Sequence, residues 1–553
     1  MKSNKRPIST PILILLWVAI LLGSSLQAHA VSKRMEDPLF WISKIKDPGR
    51  LLLTPSDIQK MNEENLKRQD LLLCRAKDMK EEWIGGEILA FLKEDWKEFG
   101  KTDQVRYGKQ GIPLDDSFWN ALKENINQVA LKEKNRLLFG LTIERTDVRV
   151  FPTAEISIST PTHYEFDLFQ HSAIAPGSLV GIYHFSRDNL WAYVQTSFIR
   201  GWIRTKDLAM AKGKNDAFGQ GEIKEPLVIT GNFVRIFADP LFQQPVFSAQ
   251  MGTTFHILHL PPPSPPRPRT GEAEGGLAGR RSRSRGEGQP ARRISSLAGG
   301  GEGETDHGHP SPSQRLSLRG RSPSGAEPEP AATLNPPPSR GRIIVDKFSS
   351  SKENHSVIGN CYVIKIPFRE RDGRLTFRNG YIPVDDDVYY GFLPYTQKNL
   401  AQQAFKMLHQ PYGWGEMSGG RDCSRFIMDL FNTFGILMPR NSNLQAKMGI
   451  PLGALEGTTI EEKKKILDRA VPLATLLRMP GHIMLYLGRH NGEHYAIHSI
   501  WGIHNGGKSG PVYKKIGKVA VTDLNLGKGG PNGSLLHRLT EIHLIGPGSE
   551  VNK

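Results

Sequence analysis

The chain has 553 residues, of which 38% are hydrophobic and 23% charged, so its length predicts three or four domains and its composition excludes a polytopic membrane protein. Its formal net charge of +16, from 72 Lys and Arg against 56 Asp and Glu, is typical of a protein with a polyanionic partner. Only 3 cysteines occur, which excludes a disulfide scaffold and a zinc protein with several cysteine ligands.

The first 30 residues have the composition of a secretory signal peptide. A basic stretch without acidic residues precedes an uncharged apolar run at 12–22, and a small-x-small triplet ends at Ala30. We therefore predict cleavage after Ala30 and an exported mature chain, periplasmic or extracellular, with no transmembrane segment. An uncleaved membrane anchor is the alternative, but the run is shorter than the roughly 20 residues that a spanning helix needs.

Residues 31–135 are polar and are predicted to be mainly helical. Thr54 precedes Pro55 and Asp57, an order typical of an N-cap, a first helical position and an acidic first turn. The segment offers no candidate catalytic residue.

Short strand patterns replace helical ones from about residue 140, and one pattern occurs twice. The tetrapeptide at 148–151 (VRVF) returns at 234–237 (VRIF), and each copy is followed by a glycine–aromatic–isoleucine step that contains Trp202 or Tyr381. This recurrence predicts two related small β-barrels. The predicted barrels cover residues 136–215 and 226–392. The second copy is longer by about ninety residues, so an insertion must lie inside it.

The composition of residues 261–345 identifies this insertion independently. No Phe, Trp or Tyr occurs between Phe255 and Phe348, and no lysine between Lys224 and Lys347, whereas Pro, Gly, Ser and Arg are abundant. Such a stretch cannot bury enough apolar area to fold alone, so we predict a disordered loop that leaves the second barrel at a turn. An arginine-rich arm that binds a polyanion is the alternative.

Residues 393–553 show a mixed pattern, which predicts an α+β domain with its helices first and its strands later. Thr396 is suited to cap a helix whose apolar residues follow helical spacing. A glycine-rich turn comes next, and a second helix starts at about Cys423. Two alternating segments, at 482–487 and 494–500, are predicted to be half-buried strands.

Cys423 lies directly after the glycine-rich turn and before apolar residues at helical spacing, which places it in the first turn of a helix. Unpaired backbone N–H groups and the helix dipole there favour the thiolate, which is the nucleophile that acyl transfer needs. Asp422 occupies the N-cap position. From this segment alone, a capped helix with an ordinary buried cysteine remains an alternative.

Histidines on the two predicted strands favour catalysis. His482 lies on one strand and His498 on the next, and an imidazole oriented by a polar neighbour is what a general base opposite a cysteine requires. The spacing of His490, His494 and His498 would also line up three zinc ligands on a helix. An Asn-Gly pair after His490 breaks such a helix, so we disfavour the zinc interpretation.

Together these residues resemble the NlpC/P60 cell-wall endopeptidases, a family of papain-like cysteine hydrolases that act on bacterial peptidoglycan. The matching pieces are, in chain order, PYGWG at 411–415, DCS at 422–424, LMPR at 437–440 with Gln445 beyond it, GH at 481–482 and AIHS at 496–499. The resemblance implies an α+β papain-like catalytic domain at 393–553, preceded by two SH3-like β-barrels and a helical N-terminal stabilising segment.

The resemblance also implies a role for each matching residue. Cys423 matches the nucleophile, His482 the general base, and His498 the polar residue that orients the imidazole. Tyr412 matches a tyrosine near the oxyanion site. The implied substrate contacts are Asp422, Ser424, Trp414 and, from the first barrel, Trp202. The implied reaction is cleavage of a γ-D-glutamyl–diamino acid bond in the stem peptide through an acyl-enzyme, without a cofactor or metal.

Two positions depart from the family pattern. Arg425 stands where many members have Gly or Ala after the catalytic tripeptide, and Glu416 stands where many have a second glycine after Trp-Gly. The resemblance therefore leaves the shape of the substrate pocket open.

Other functions are compatible with parts of the sequence. A non-catalytic wall-binding protein would use the barrels to hold peptidoglycan, but the complete set of Cys423, His482 and His498 disfavours it. Nucleic-acid binding through the arginine-rich arm is a third alternative, which the prediction of a solvated disordered loop disfavours, so we expect no nucleic-acid partner. Cys74 and Cys361 have no feature that brings them within bonding distance, so we expect two unrelated buried thiols.

Overall fold

The computed structural model describes residues 32–218, 225–260, 361–384, 387–507 and 510–548, all of which belong to one compact unit. The predicted signal peptide at 1–30 and the predicted disordered insertion at 261–345 lie outside the described residues. Within the described ranges, no helix is long and apolar enough to cross a membrane.

The N-terminal segment is mainly helical. Its helices are α1 Pro38–Ile42, α2 Pro55–Leu66, α3 Gly85–Phe99 and α4 Asp116–Asn125, and its short strands are β1 Leu51–Leu53, β2 Glu82–Ile84 and β3 Lys134–Arg136. Thr54 caps α2 as predicted, because its hydroxyl accepts from the N–H of Asp57 while the Asp57 carboxylate accepts from the N–H of Thr54 at 2.8 Å. Ile88 and Leu92 of α3 and Trp119 of α4 join the core of the sheet that follows.

A seven-stranded antiparallel sheet follows. Its strands are β4 Leu138–Thr142, β5 Thr146–Arg149, β6 Gln170–Ile174, β7 Leu179–Phe185, β8 Trp191–Gln195, β9 Arg200–Arg204 and β10 Leu208–Met210. Their order is β10-β4-β7-β8-β9-β5-β6. The short helix α5 Lys214–Phe218 leads away from it.

A second seven-stranded sheet has the same architecture. Its strands are β11 Leu227–Ile229, β12 Phe233–Phe237, β13 Pro245–Gln250, β14 Thr254–His259, β15 Cys361–Arg369, β16 Leu375–Pro383 and β17 Val388–Tyr390, in the order β13-β12-β16-β15-β14-β11-β17. Read from its other edge, this order is that of the first sheet. Each strand from β11 to β17 has the position in its sheet that the corresponding strand from β4 to β10 has in the first. The recurring tetrapeptides overlap β5 and β12, which are equivalent strands, so the repeat in the sequence reflects a repeat in topology.

Residues 260–360 connect two neighbouring strands of the second sheet. β14 and β15 pair antiparallel, with Ile257 opposite Ile364. In the first sheet, the equivalent strands β7 and β8 are joined by residues 186–190 alone. The long connection therefore takes the place of a hairpin turn, which is the kind of position that the sequence predicted for the insertion.

The C-terminal part combines short helices with a six-stranded antiparallel sheet. Its helices are α6 Gln397–Lys406, α7 Cys423–Asn432, α8 Ser442–Gln445, α9 Ile460–Leu467 and α10 Leu535–Arg538, and its strands are β18 Tyr395–Thr396, β19 Ile450–Ala454, β20 Thr475–Met479, β21 His482–His490, β22 Glu493–Gly507, β23 Gly510–Asp523 and β24 Glu541–Leu544. The sheet has the order β19-β24-β20-β21-β22-β23, and β18 pairs with β1 instead. Thr396 caps α6 as predicted, accepting from the N–H of Asn399 at 3.1 Å.

Helix α7 is almost wholly buried, and it lies against β21 and β22. Phe426, Leu430 and Phe431 of the helix belong to the same apolar cluster as Ile483 and Leu485 of β21. Burial of this large apolar face fixes the helix on the sheet. Its first residue, Cys423, is thereby held near the start of β21.

Candidate active site

Cys423 is the first residue of α7, and Asp422 is the N-cap. The Asp422 carboxylate accepts from the N–H of Arg425 at 2.8 Å, which satisfies one of the donors at the helix start. The backbone N–H groups of Ile483 and Ser424 are close enough to the Cys423 sulfur to lower its pKa. The thiol is thus enclosed between the helix start and β21.

The environment of Cys423 favours the thiol, not the thiolate. Burial, and then the negative charge of Asp422, raise the pKa of Cys423 to about 12, although the two N–H groups and Arg440 act in the opposite direction. Backbone N–H groups at the helix start act towards the thiolate, as predicted, but burial and the charge of Asp422 outweigh them in the resting site. Ionisation of Cys423 requires a group that removes the proton as the sulfur reacts.

His482, the first residue of β21, is suited to remove that proton. Its Nε2 lies 2.6 Å from Nδ1 of His498 on β22, and Nε2 of His498 lies 2.9 Å from Oγ1 of Thr522 on β23. Burial and then the positive charge of Arg538 lower the pKa of His482 to about 4, opposed by the charge of Asp422. His482 is therefore neutral in the resting site. The charge of Asp422 affects both Cys423 and His482, as expected for groups in one site.

The hydrogen bonds of the two imidazoles fit two opposite sets of tautomers, of which the following one suits a general base. If Nδ1 of His482 is to accept a proton, its Nε2 carries the hydrogen and donates it to Nδ1 of His498. His498 then carries its own hydrogen on Nε2 and donates it to the hydroxyl of Thr522. One chain through three neighbouring strands thus leaves Nδ1 of His482 unprotonated and orients its ring.

The predicted substrate contacts Asp422 and Ser424 are both bound to Arg440. Arg440 donates to Asp422 Oδ2 at 2.6 Å and Oδ1 at 3.1 Å, and to the Ser424 hydroxyl at 2.7 Å. Gln445, matched in the sequence, donates to the carbonyl groups of Ser424 and Pro439, each at 2.8 Å. The side chains of Asp422 and Ser424 are buried and already hydrogen-bonded to Arg440. These bonds hold the start of the Cys423 helix in position.

Tyr412 and Trp414 belong to a cluster of aromatic rings, which we call the aromatic wall and which also contains Phe166 and Trp501. The Phe166 ring lies 6.5 Å from Tyr412, 5.5 Å from Trp414 and 5.6 Å from Trp501, and Tyr412 lies 5.8 Å from Trp501. Burial and then the charges of Cys423 and Asp422 raise the pKa of Tyr412, so its phenol stays protonated and is available as a donor near the sulfur. Trp414 is 36% exposed and offers surface to a ligand.

Trp202 does not reach this wall, and the structure corrects the prediction that it contacts the substrate. Its side chain has no exposed surface and packs on Tyr193 in the core of the first sheet, at a ring distance of 5.2 Å. The first sheet contributes Phe166 instead, from the loop between β5 and β6. No sequence pattern pointed to Phe166, because only the folded loop brings it to the catalytic domain.

The three histidines of the alternative zinc interpretation have different partners. His490 lies 3.0 Å from Nζ of Lys44, His494 lies 2.8 Å from the Tyr486 hydroxyl, and His498 contacts His482. His490 ends β21 while His494 and His498 lie on β22, so the spacing of a helical metal site does not occur. The zinc interpretation is wrong for this segment.

All three cysteines lie in the described part of the chain, and none forms a disulfide. Cys361 is buried in β15, whereas Cys74 is only half-buried. The expectation of two unrelated thiols is confirmed, but the expectation that both are buried is wrong for Cys74.

Sequence reasoning missed several polar residues around Cys423. Thr522 is the last member of the hydrogen-bonded chain that begins at His482. Arg440 donates hydrogen bonds to Asp422, the N-cap residue of α7. Glu416 and Arg425, noted only as departures, are both buried beside the site. Arg440 belongs to the matched LMPR segment, which was a usable signal, whereas Thr522 had none.

Comparison with known proteins agrees with this architecture. Residues 409–510 match the family model described as NlpC/P60 family, and residues 159–204 match an SH3 domain of the SH3b1 type. No curated protein is significantly similar in sequence. The second sheet falls outside both matches, so a count of two SH3 domains remains a prediction based on shared strand order.

One solved structure is similar in fold at low sequence identity, and a second matches with a lower score. An NlpC/P60 endopeptidase from Photobacterium damselae subsp. piscicida is 17% identical with a TM-score of 0.61, over 92% of this chain and 96% of that one. An NlpC/P60 family protein from Bacillus cereus is 13% identical with a TM-score of 0.36, over 68% of this chain and 83% of that one. The chain therefore contains an NlpC/P60 family domain and, ahead of it, an SH3 domain of the SH3b1 type.

Proposed function

We propose that this chain is an exported peptidoglycan hydrolase, a cysteine endopeptidase that cleaves the γ-D-glutamyl–diamino acid bond of the stem peptide. The observation that carries the proposal is that Cys423 starts a buried helix packed on β21 and β22, the strands whose His482 and His498 form a hydrogen-bonded chain with Thr522. The matched NlpC/P60 domain supports peptidoglycan as the substrate class, and the SH3 match supports binding to the wall.

In the first step, the Cys423 sulfur attacks the carbonyl carbon of the scissile amide while Nδ1 of His482 takes the thiol proton. Both groups are neutral at rest, so proton transfer accompanies bond formation. Nε2–H of His482 donates to His498 throughout, which keeps the positive ring oriented. N–H groups at the start of α7 and the Tyr412 hydroxyl donate to the developing oxyanion.

In the second step, the carbon–nitrogen bond breaks and the departing amine takes the proton from His482. The γ-glutamyl group remains on Cys423 as a thioester. A water molecule then attacks the thioester and gives a proton to His482, which passes it to the leaving sulfur. The products are a free carboxyl group and a free amine, and the enzyme returns to its starting state.

Replacement of the nucleophile tests this proposal. We expect Cys423→Ala to lower peptide release from purified peptidoglycan by at least about a thousandfold, because the acyl-enzyme cannot form. Mass spectrometry of products from defined muropeptides identifies the bond that the native enzyme cleaves. Cys74→Ala is the matched control and should retain full activity. Turnover by folded Cys423→Ala would refute the mechanism, and cleavage at another bond would refute the assigned specificity.

A further inference from the structure

The turn that connects Tyr412 to Cys423 has an unusual backbone. Glu416 has φ +67° and ψ 22°, in the left-handed region where glycine is favoured and a side chain is strained. Gly415 before it has φ +52°. An acidic residue keeps this conformation only where surrounding contacts hold it in place, and these contacts are provided by three parts of the fold.

The Glu416 carboxylate is almost fully buried and is shared between the first sheet and α7. Its Oε2 accepts from the Ser172 hydroxyl at 2.8 Å and from the N–H of Ala173 at 3.0 Å, both on β6. The same oxygen accepts from Nη1 of Arg425 on α7 at 3.1 Å. Arg145, before β5, donates to the Glu416 carbonyl oxygen at 2.6 Å. One residue of the turn thus binds the first sheet and the catalytic helix together.

Burial of these charges indicates a positioning role. Burial alone would raise the pKa of Glu416, but the charges of Arg425, Arg145 and Arg440 lower it to about 2, so the carboxylate stays ionised. Nε of Arg425 also donates to Asp429 Oδ1 at 2.6 Å. A fully paired buried charge specifies one arrangement of its partners, whereas loss of one partner leaves the other unpaired.

The network reaches the catalytic cysteine through the N-cap. Nε of Arg440 donates to the Ser172 hydroxyl at 2.6 Å while Arg440 holds Asp422 from the other side. The N–H of Gly415, next to Glu416, donates to Asp422 Oδ2 at 3.1 Å. A shift of the turn relative to β6 therefore moves the residue that caps the Cys423 helix.

We propose that Glu416 is a positioning residue, which fixes the catalytic turn against β6 so that hydrolysis depends on the docked first sheet. The proposal rests on the proposed function. It explains why Glu416 and Arg425, the two departures from the family pattern, occur together, since each is the buried ionic partner of the other. The first sheet is then part of the catalytic unit and not only a wall-binding module.

Three variants test this role. Glu416→Gln keeps the shape but removes the charge, and we expect kcat to fall about tenfold or more with a smaller change in KM. Arg145→Met removes the hydrogen bond to the backbone of the turn and should act in the same direction. The double variant Glu416→Gly/Arg425→Ala removes both charges and the backbone strain but also the bonds to Ser172 and Ala173, so we expect its kcat to be no higher than that of Glu416→Gln. Asp95→Asn, which changes a half-buried partner of Tyr193 remote from the turn, is the control and should leave kcat unchanged.

A second readout separates this proposal from the proposed function. The rate at which iodoacetamide alkylates Cys423 reports on the site without a substrate, and we expect it to fall in Glu416→Gln and to stay low in the double variant. Circular dichroism and thermal unfolding identify variants that fail to fold, in which case Arg145→Met provides the test. Native kcat and alkylation in folded Glu416→Gln, or recovery of kcat in the double variant, would overturn the positioning role, because recovery would show that an unpaired charge and not a lost anchor caused the defect. Absence of peptidoglycan cleavage by the native enzyme would instead overturn the proposed function.

Discussion

His482 lies between two opposing charges that set its protonation range. Burial and the Arg538 guanidinium lower its pKa, while the Asp422 carboxylate raises it. The net result keeps the imidazole neutral above about pH 4, and a neutral imidazole is the form that accepts a proton. The Cys423 thiol is also neutral. Cys423 and His482 therefore rest as a thiol and a neutral imidazole, and not as a thiolate and an imidazolium, until the substrate binds.

The first prediction concerns the dependence of the thiol on its base. We expect iodoacetamide to alkylate native Cys423 at pH 6 and the rate to fall about tenfold or more in His482→Ala, because a thiol with a raised pKa does not ionise without a proton acceptor. Mass spectrometry of the labelled peptides measures the rate at each cysteine. Half-buried Cys74, whose pKa is also raised by burial, provides the internal comparison and should react equally in both proteins. An unchanged rate at Cys423 would exclude His482 as the acceptor.

The second prediction concerns pH. Since the pKa of His482 is about 4, we expect kcat/KM to be retained at pH 5 and to fall about tenfold per pH unit below pH 4, where the imidazole becomes protonated. Arg538→Met removes a charge that lowers this pKa, so the acidic limb should move to higher pH. Arg187→Met, at an exposed ion pair of the first sheet, should leave the profile in place. A limb that does not move in Arg538→Met would show that another group governs it.

The third prediction concerns the orientation of the base by His498. We expect His498→Ala to lower kcat by about tenfold or more and His498→Asn to retain more activity, because an amide also offers an acceptor to Nε2–H of His482. Steady-state kinetics on a defined muropeptide measure both variants. Thr522→Val, which removes only the end of the chain, should have a smaller effect than His498→Ala. Full activity in His498→Ala would contradict the orienting role.

At the scale of elements, the loop between β5 and β6 carries the aromatic contact that the first sheet makes with the catalytic domain. Phe166 lies in the aromatic wall, whereas Trp202 on the neighbouring strand β9 is buried. The loop is held by a buried ion pair in which Arg149 donates to the Asp167 carboxylate at 2.5 Å. The residue adjacent to Phe166 is therefore anchored, and the ring has a defined position.

The fourth prediction separates these two aromatic residues. We expect Phe166→Ala to raise KM severalfold with little change in thermal stability, because it removes a half-buried ring that contacts Tyr412 and Trp414 in the aromatic wall. Trp202→Phe should lower the melting temperature by several degrees with little change in KM, because it leaves a cavity in the core of the sheet. Kinetics and thermal unfolding of the same two variants give both readouts. The reverse pattern would restore Trp202 as the substrate contact.

Local signals in the sequence were sufficient for the elements but not for their partners. The caps at Thr54 and Thr396, the position of Cys423 at a helix start and the repeat of VRVF all depend on neighbouring residues or on a short period, and the structure has each of them. The partners of Asp422 and Glu416 are arginines and strands far away in the chain. Which distant charges become buried together depends on packing. The raised pKa of Cys423 and the buried contacts of Glu416 with β6 and α7 were therefore not predictable from the sequence.

At the scale of the molecule, both seven-stranded sheets are attached to the catalytic domain by buried polar contacts. The first sheet provides Ser172 and Arg145. The second provides Asn232, whose side-chain oxygen accepts from Nη1 of Arg421 at 2.6 Å, while Nε of Arg421 donates to Asp429 at 2.7 Å. Arg421 and Arg425 share the Asp429 carboxylate, so the attachments of the two sheets meet on α7. We therefore expect the sheets and the catalytic domain to unfold cooperatively.

The last prediction concerns the long connection in the second sheet. Deletion of residues 261–345 leaves β14 and β15 joined by about fifteen residues, which is enough for strands that already pair antiparallel. Shortening the loop lowers the entropy lost on closure, so we expect unchanged kcat and a gain of about 1 to 2 kcal/mol in the free energy of unfolding. Denaturant unfolding and muropeptide kinetics measure the two quantities. The deletion variant should also bind DNA as weakly as the native protein; salt-dependent DNA binding that disappears with the deletion would establish the arginine-rich arm as a polyanion-binding element instead.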